Sequence, residues 1–284
     1  MKTPQVSVII PIYNGSRFVE ETIRSVVNQN FEHWELILVD DGSTDNTREI
    51  IESFKSAKIR CFSKPNSGVS DSRNYGAKYA TGEYFAFIDA DDIWKPAKMS
   101  ESVDFIKNHP VHLVHSYMEV IDASSKPTGE ILQGKEGWML NSLLLWDGCN
   151  IPSPSSILVS KDAYEKVGGF DTNFSTAADQ DFFFRIANNY EIGMIKSPLG
   201  QYRVHGQNMH LNIQQMESDH ISVYLKAKEL GLFHSKKFER ECFSRLYKII
   251  AGSWWKEGNN KIRAIKFIFK SIFKSPKIVT EYFS

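Results

Sequence analysis

The chain reads as an α/β protein: a parallel, helix-covered sheet followed by a run of helices. Three observations carry that reading. Short apolar runs alternate with helical patterns through residue 88, each run ends in a polar cluster, and the last part of the chain turns basic and aromatic.

The first run, 6–12 (VSVIIPI), has strand length and leads into Tyr13-Asn14-Gly15. Residues 17–29 then place Phe18, Ile23, Val26 and Val27 close to helical spacing. A second run, 35–39 (ELILV), ends in Asp40-Asp41-Gly42-Ser43-Thr44-Asp45, where Ser43, Thr44 and Asp45 are candidate N-caps for a helix over 46–56. A third, 59–63 (IRCFS), precedes Asn66-Ser67-Gly68 and a helical segment over 69–80 carrying Arg73 and Asn74. The fourth, 83–88 (EYFAFI), is too short for a typical helix and ends in Asp89-Ala90-Asp91-Asp92. The alternation puts Tyr13, Asp41, Gly68 and Asp89–Asp91 at successive carboxyl ends of strands, the edge where open α/β sheets bind ligands. Three carboxylates crowded there repel one another unless a cation or ligand offsets them. Hard oxygen donors at this spacing suit Mg²⁺ or Mn²⁺, which usually bridge to phosphate. The bland alternative is a solvated acidic turn in which Asp92 caps the next segment.

Val6–Asn14, Val39–Asp45, Gly68–Asn74 and Asp89–Asp92 resemble, in order and spacing, the successive motifs of glycosyltransferase family 2. The resemblance covers roughly residues 5–205 and extends to Val167-Gly168-Gly169-Phe170-Asp171 and Tyr202-Arg203-Val204-His205. It implies an inverting, nucleotide-sugar-dependent enzyme with a GT-A fold, a Rossmann-like mixed sheet flanked by helices. By the same resemblance Pro11 and Tyr13 would lie against the nucleobase, with the Tyr13 ring as a stacking face. Asp41 would accept a hydrogen bond from the base, and Arg73 would approach the phosphates or ribose. Asp89 would contact ribose or metal-bound water, with Ala90 beside the nucleotide and Gly68 in support. Asp91 would ligate the metal. The plainer reading of Asp41 and Arg73 is an ion pair bracing two loops.

Inverting transfer needs one carboxylate to take the acceptor proton. Ala177-Ala178-Asp179-Gln180-Asp181 resembles the family's acidic motif at a helix start, with Asp179 in the position of the base and Asp181 in support. Family members usually carry Glu immediately before the base, whereas this chain has Ala178. An Asp at a helix start is otherwise simply a good N-cap. His205 follows the Tyr-Arg-x-His pattern and is a second candidate metal ligand, against the alternative of a surface-loop histidine. His33, His109, His112, His115, His210, His220 and His234 show no metal-ligand spacing.

Residues 112–135 read as two strands joined by a polar turn, and 138–146 as a short helix with Trp138 and Trp146. The hydroxyl- and proline-rich loop 150–156 resembles the family's acceptor-side loop. Trp138 and Trp146 suit sugar recognition or core packing equally. Three separated cysteines, Cys61, Cys149 and Cys242, argue against disulfides and structural zinc. With no signal-like leader and no apolar run of membrane-spanning length, the expected location is cytoplasmic.

Lys plus Arg and Asp plus Glu both number 34, but residues 236–278 hold twelve basic and three acidic residues. On a helical wheel of 262–274, Arg263, Lys266, Lys270 and Lys274 form a stripe beside Ile262, Ile265, Ile268, Phe269, Ile272 and Phe273. Such a segment can lie on an anionic membrane surface. We expect 236–256 to pack onto the catalytic domain and 260–278 to face the inner membrane; no nucleic-acid motif accompanies the charge.

The expected organisation is a GT-A domain over 1–210, with its nucleotide-sugar half at 1–95 and its acceptor half at 96–210, then a helical extension over 211–284. The expected activity is metal-dependent (Mn²⁺ or Mg²⁺) transfer of a hexosyl or N-acetylhexosaminyl group. The donor would be a nucleotide sugar, a UDP-sugar by preference, and the acceptor a saccharide or lipid-linked saccharide of cell-surface polysaccharide synthesis. A sugar nucleotidyltransferase and a degenerate, non-catalytic binding protein are the alternatives.

Overall fold

In the computed structural model, residues 4–206 and 212–282 are described; His210 and the 210/211 boundary expected above lie outside them. Strands β1 (Val6–Ile12), β2 (Trp34–Asp40), β3 (Ile59–Ser63) and β4 (Tyr84–Phe87) alternate with helices α1 (Val19–Val27), α2 (Thr47–Ser53) and α3 (Val69–Tyr79). The strands pair in parallel in the order β3-β2-β1-β4, so their carboxyl ends share one edge. β1 and β2 are buried along their whole length. Alternate side chains feed two cores, with Val6, Val8, Ile10, Leu36 and Leu38 on one face and Ile9, Ile37 and Val39 on the other. That two-sided burial is why both runs read as continuously apolar rather than alternating. The N-cap of α2 is Asn46, without a side-chain cap, so none of Ser43, Thr44 and Asp45 holds that position; Asp45, just before it, accepts the Thr47 N–H at 3.0 Å.

The second half adds β5 (Ile93–Trp94), α4 (Lys98–Asn108), β6 (Leu113–Ile121), β7 (Pro127–Leu132), α5 (Leu140–Leu145), β8 (Ile157–Ser160), α6 (Lys161–Val167), α7 (Ala178–Ala187) and β9 (Ile192–Arg203). β8 runs antiparallel between β4 and β6, and β9 runs parallel to β6, giving the order β3-β2-β1-β4-β8-β6-β9-β5 with β7 on β6. The sheet is therefore mixed. Its consequence for the site is that β9 delivers Arg203 and His205 to the loop after β4, which β5 ties down through the Ile93–Gln201 pair.

Three helices follow: α8 (Ile213–Glu229), α9 (Lys236–Lys256) and α10 (Lys261–Lys274). Tyr224, Phe243, Leu246 and Ile250 join the cluster that contains Leu144, Phe182 and Phe184, so α8 and α9 extend one face of the sheet's core. Residues 236–256 pack as expected. The basic stripe of α10 is arranged differently from the wheel. Arg263 makes a two-pronged pair with Glu217, at 2.8 and 2.9 Å, because Glu217 on α8 offers a part-buried carboxylate. Lys270 lies over the Phe267 ring at 4.6 Å and Lys274 over Phe243 at 5.4 Å. Phe267 is buried, while Ile262, Phe269 and Phe273 are 84%, 68% and 83% exposed.

Lys98 is buried in α4, donating to the Ser156 carbonyl at 2.7 Å and the Ser102 hydroxyl at 3.0 Å. Burial pulls its pKa down to about 7. The unfolded chain, with an ordinary lysine value near about 10.4, binds more protons between those values, so stability rises with pH across the window. Lys98→Met removes the charge at similar volume. Its advantage over the native chain in urea unfolding is expected to be on the order of a few kcal/mol at pH 6 and to shrink by pH 10. An advantage equal at both pH values would mean that Lys98 does not titrate in this window.

Candidate functional site

The tips of β1, β2 and β3 form one end of the site. Tyr13 follows β1 with its ring 55% exposed, whereas Pro11 is buried within the strand. Asn14 holds the adjoining loop: its Oδ1 accepts the Thr44 N–H at 2.8 Å, and its own N–H reaches Ser43 Oγ at 2.9 Å. Asp41 is buried and accepts the backbone N–H groups of Ser67 (3.0 Å) and Gly68 (2.8 Å). Gly68 has φ 94°, which lets that N–H turn toward the carboxylate without a Cβ penalty. Lys64 also pairs with Asp41, and with Asp71 at 2.9 Å. A carboxylate has about four acceptor positions, so these contacts leave Asp41 room for roughly one more donor.

The loop after β4 forms the middle. Arg73 is buried and donates to Asp89 Oδ1 at 2.6 Å, with its guanidinium over the Phe170 ring. The Asp41–Arg73 brace weighed from the sequence does not form, because each residue has a nearer partner: Lys64 for Asp41 and Asp89 for Arg73. Nor is Asp92 a solvated cap. It is buried, its Oδ1 accepts the Arg203 N–H at 3.0 Å, and burial with the charges of Asp91 and Asp89 pushes its pKa well up. Thr22 Oγ1 donates to the carbonyls of Ala90 (3.0 Å) and Asp92 (2.8 Å), tying the loop to α1. Arg203 has no exposed surface and donates to the Asp91 carbonyl (2.7 Å), Ser125 Oγ (2.8 Å) and Glu21 (2.7 Å).

His205 is brought to this loop rather than left on the surface. Its Nε2 lies 2.8 Å from Asp91 Oδ2, and its ring packs on Phe18 at 4.9 Å. Burial and the Asp89 charge raise the Asp91 pKa, which His205 partly offsets. Among the described residues, no three His, Cys, Asp or Glu side chains converge to hold an ion unaided. One carboxylate and one imidazole on a common point nevertheless fit Mn²⁺ or Mg²⁺ completed by phosphate and water.

The start of α7 forms the other end. Its N-cap is Ala177, with no side-chain cap, so Asp179 stands in the first turn rather than capping. Asp179 is half-buried, accepts the Gln180 N–H at 2.8 Å and makes no ion pair among the described residues. Burial raises its pKa, against a lowering by Arg73. Asp181 differs sharply. It is buried and pairs with Arg185 at 2.5 Å and Lys226 at 2.8 Å. Asp219 of α8 accepts the N–H groups of Ser175 (2.9 Å) and Thr176 (2.8 Å), fixing the turn that leads into α7. The Gly-Gly-Phe-Asp motif serves as a clamp. Asn74 Oδ1 accepts the Phe170 N–H at 2.9 Å, Asp171 meets Lys226 at 2.7 Å, and Gly169 (φ +68°) has no room for a side chain beside Asn74.

Sequence reasoning missed Lys64, Asp219 and Lys226, which act from other segments; Lys64 just after the third run was the one local hint. Trp138 is largely exposed, whereas Trp146 lines a cavity next to Asp179.

A family model described as Glycosyl transferase family 2 matches residues 7–168. An uncharacterized glycosyltransferase of Nostoc sp. (strain PCC 7120) is 33% identical over 224 residues, covering 76% of this chain and 69% of that protein. The putative teichuronic acid biosynthesis glycosyltransferase TuaG of Bacillus subtilis is 42% identical over 106 residues, 36% of this chain and 42% of that protein. The crystal structure of S. aureus TarS 1–349 in complex with UDP-GlcNAc matches with a TM-score of 0.68 at 19% identity, covering 94% of this chain and 81% of that one. The mannosyltransferase PcManGT of Pyrobaculum calidifontis, in complex with GDP-Man and Mn²⁺, matches with a TM-score of 0.61 at 16% identity, covering 96% and 87%. At such identities the likeness is one of fold: the GT-A arrangement, a mixed sheet between helices with further helices at the C-terminus.

Proposed function

This chain belongs to glycosyl transferase family 2, and on that premise we propose that it is a metal-dependent inverting enzyme. It moves one hexosyl or N-acetylhexosaminyl group from a UDP-sugar to a saccharide or lipid-linked saccharide of cell-surface polysaccharide synthesis. The observation that carries this is the contrast at α7: Asp179 faces a cavity without a paired cation, while Asp181 is saturated by Arg185 and Lys226. A general base needs a free lone pair and a pKa lifted toward working pH. Asp179 has both.

In this reading Tyr13 stacks on the uracil and the remaining acceptor position of Asp41 reads its N–H. Arg73 and Asp89 form one charged unit toward ribose and phosphate. Asp91 and His205 hold Mn²⁺ or Mg²⁺, an ion that offsets the charge of the leaving diphosphate. The acceptor O–H attacks the anomeric carbon as the C1–O bond to the diphosphate breaks. The proton passes to Asp179, and the bonding pair leaves with the nucleotide. With Asp179 as base and the acceptor oxygen itself as nucleophile, the reaction is a single displacement, hence inversion. The TarS complex with UDP-GlcNAc and the PcManGT complex with GDP-Man and Mn²⁺ support the donor class and the metal. The TuaG name supports a polysaccharide product.

The second part of the proposal is a membrane surface as partner. Among the described residues, no helix is long and apolar enough to cross a membrane. α10 instead presents Ile262, Ile265, Phe269 and Phe273 to solvent, at helical spacing, with Lys261, Lys266 and Lys270 on the flanks. That combination suits the cytoplasmic, anionic leaflet, where each basic residue contributes about 1 kcal/mol.

Nucleotide release from a panel of UDP-sugars and simple acceptors, with Mn²⁺, tests the reaction. Asp179→Asn is expected to lower turnover about 10²–10⁴-fold with UDP affinity intact, and the acid limb of the native pH profile to lie above the ordinary aspartate range. Asp181→Asn is expected instead to cost about 3–5 kcal/mol of stability, because it strips a buried counter-charge from two cations. The reverse pattern would reassign the base. Asp91→Ala is expected to weaken Mn²⁺-dependent UDP binding at least about tenfold in calorimetry, or about 1.4 kcal/mol; metal-independent binding would remove the ion from the proposal.

Co-sedimentation with vesicles of phosphatidylcholine and phosphatidylglycerol tests the surface. Binding is expected to require the anionic lipid, to fall with salt and to vanish in Phe269→Asp/Phe273→Asp. A double variant that still sediments would exclude α10 as the contact.

A further inference from the structure

A cavity of about 460 Å³ opens beside Asp179, between the end of α5, the start of α7 and the outer half of α9. That is within the size range of small-ligand sites, roughly 300–1,000 Å³. Its aromatic wall is Trp146. The residue sits at the C-cap of α5 in left-handed backbone, φ 50° and ψ 49°, a conformation that so large a side chain holds only where its surroundings fix it. What fixes it is His220, whose buried ring stacks on the indole at 4.9 Å and 22°. The Met216 carbonyl engages His220 Nδ1 at 2.8 Å.

Two polar side chains of the lining, Asn150 and Gln180, carry acceptor atoms that are sealed beneath the cavity wall. Asn150 is 7% exposed, and its Oδ1 has no hydrogen-bond partner although its amide donates to two backbone carbonyls. Gln180 Oε1 is likewise buried and unpartnered. On the far wall, Ile249, Ser253 and Glu257 follow one another at four-residue intervals along α9, a single helical stripe. The lining contains two carboxylates, Asp179 and Glu257, and no lysine or arginine. The neighbouring cation, Lys135, is held by Asp147 at 2.7 Å.

We propose that this cavity is the acceptor subsite and takes an uncharged sugar ring laid on Trp146, rejecting uronates and phosphorylated sugars by the carboxylates of Asp179 and Glu257, which no lysine or arginine of the lining offsets. The inference rests on the transferase reading and narrows it. Two walls come from outside the segment that the family match covers, residues 7–168: α9 gives one and His220 of α8 backs the other. Acceptor choice is thus built by the C-terminal helices onto a shared catalytic edge. Neutral sugars add no charge to a lining that already carries two carboxylates. An anionic ring would meet Glu257 without a counter-ion.

Saturation-transfer NMR on the UDP- and Mn²⁺-loaded enzyme tests this directly. The probes are the methyl β-glycosides of glucose, galactose and N-acetylglucosamine, set against methyl β-glucuronide. At least one neutral glycoside is expected to bind and the glucuronide not to. Trp146→Ala is expected to weaken that neutral glycoside about tenfold or more with UDP affinity unchanged. Glu257 is solvent-exposed, so Glu257→Lys should fold normally, and it is expected to admit the glucuronide. The inference is overturned if the glucuronide binds the native enzyme as well as its neutral counterparts, if no neutral glycoside binds, or if Trp146→Ala changes nothing. Neutral glycosides that bind at Trp146 while no nucleotide sugar is turned over would sink the transferase reading and leave the subsite standing. Turnover that is indifferent to Trp146 would do the opposite.

Discussion

Asp89, Asp91 and Asp92 lie within four residues at the end of β4, and the buried Arg203 is what pins the loop that carries them. A fully buried cation is costly unless its donors are matched. Here they reach the Asp91 carbonyl, Ser125 and Glu21, while the Arg203 N–H holds the Asp92 carboxylate. One side chain thus joins β9, the β4 loop, α1 and the β6–β7 turn. The next consequence is positional. His205 is two residues on from Arg203, so whatever fixes Arg203 also fixes the imidazole against Asp91. Arg73 plays the matching part on the other side by pairing with Asp89, whose charge still raises the pKa of Asp91 and Asp92.

The acceptor end is organised by a parallel device with the signs reversed. Lys226 of α8 reaches Asp171 and Asp181 together, and Asp219, about two turns earlier, takes the N–H groups before α7. These contacts leave Asp179 as the carboxylate of that turn with no cation on it. Selectivity between two aspartates two residues apart therefore arises from α8, an element that follows both in sequence and touches only one of them. Burial then raises the Asp179 pKa, against lowerings by Arg73, the Gln180 N–H and His220.

The parallel half of the fold and its polar tips were legible because their signals are local. β1, β2, β3 and β4 fall within a residue or two of the apolar runs, and Tyr13, Asp41, Gly68, Arg73 and Asp89–Asp91 follow each run directly. The partners were not legible, since nothing near Asp41 announces Lys64 and nothing near Asp179 announces Asp219 or Lys226. Periodicity also misled on α10 in an instructive way. The wheel correctly separated apolar from basic positions, but it carries no information about Glu217 or the rings of Trp254, Tyr247 and Phe243. Those groups draw Arg263, Lys270 and Lys274 onto α9 and leave the apolar face outward. Trp146 was read as core or sugar platform without a decision, because the deciding contact, the His220 ring, comes from a helix 74 residues later.

The helix α9 links the two ends of the proposal. Its inward stripe of Ile249, Ser253 and Glu257 walls the cavity beside Asp179, and its Phe243 and Tyr247 support α10. Glu257 and Ile262, the first residue of the exposed apolar stripe, are five residues apart. A chain of that length spans at most about 17–18 Å even when fully extended. A surface on which α10 rests is thereby held within a short reach of the cavity mouth. That distance suits an acceptor whose sugar enters the cavity while its lipid stays in the membrane, and it suits a free oligosaccharide no better than many other arrangements would. Within the proposed function, the lipid-linked form of the acceptor is the one that gives both faces of α9 a purpose.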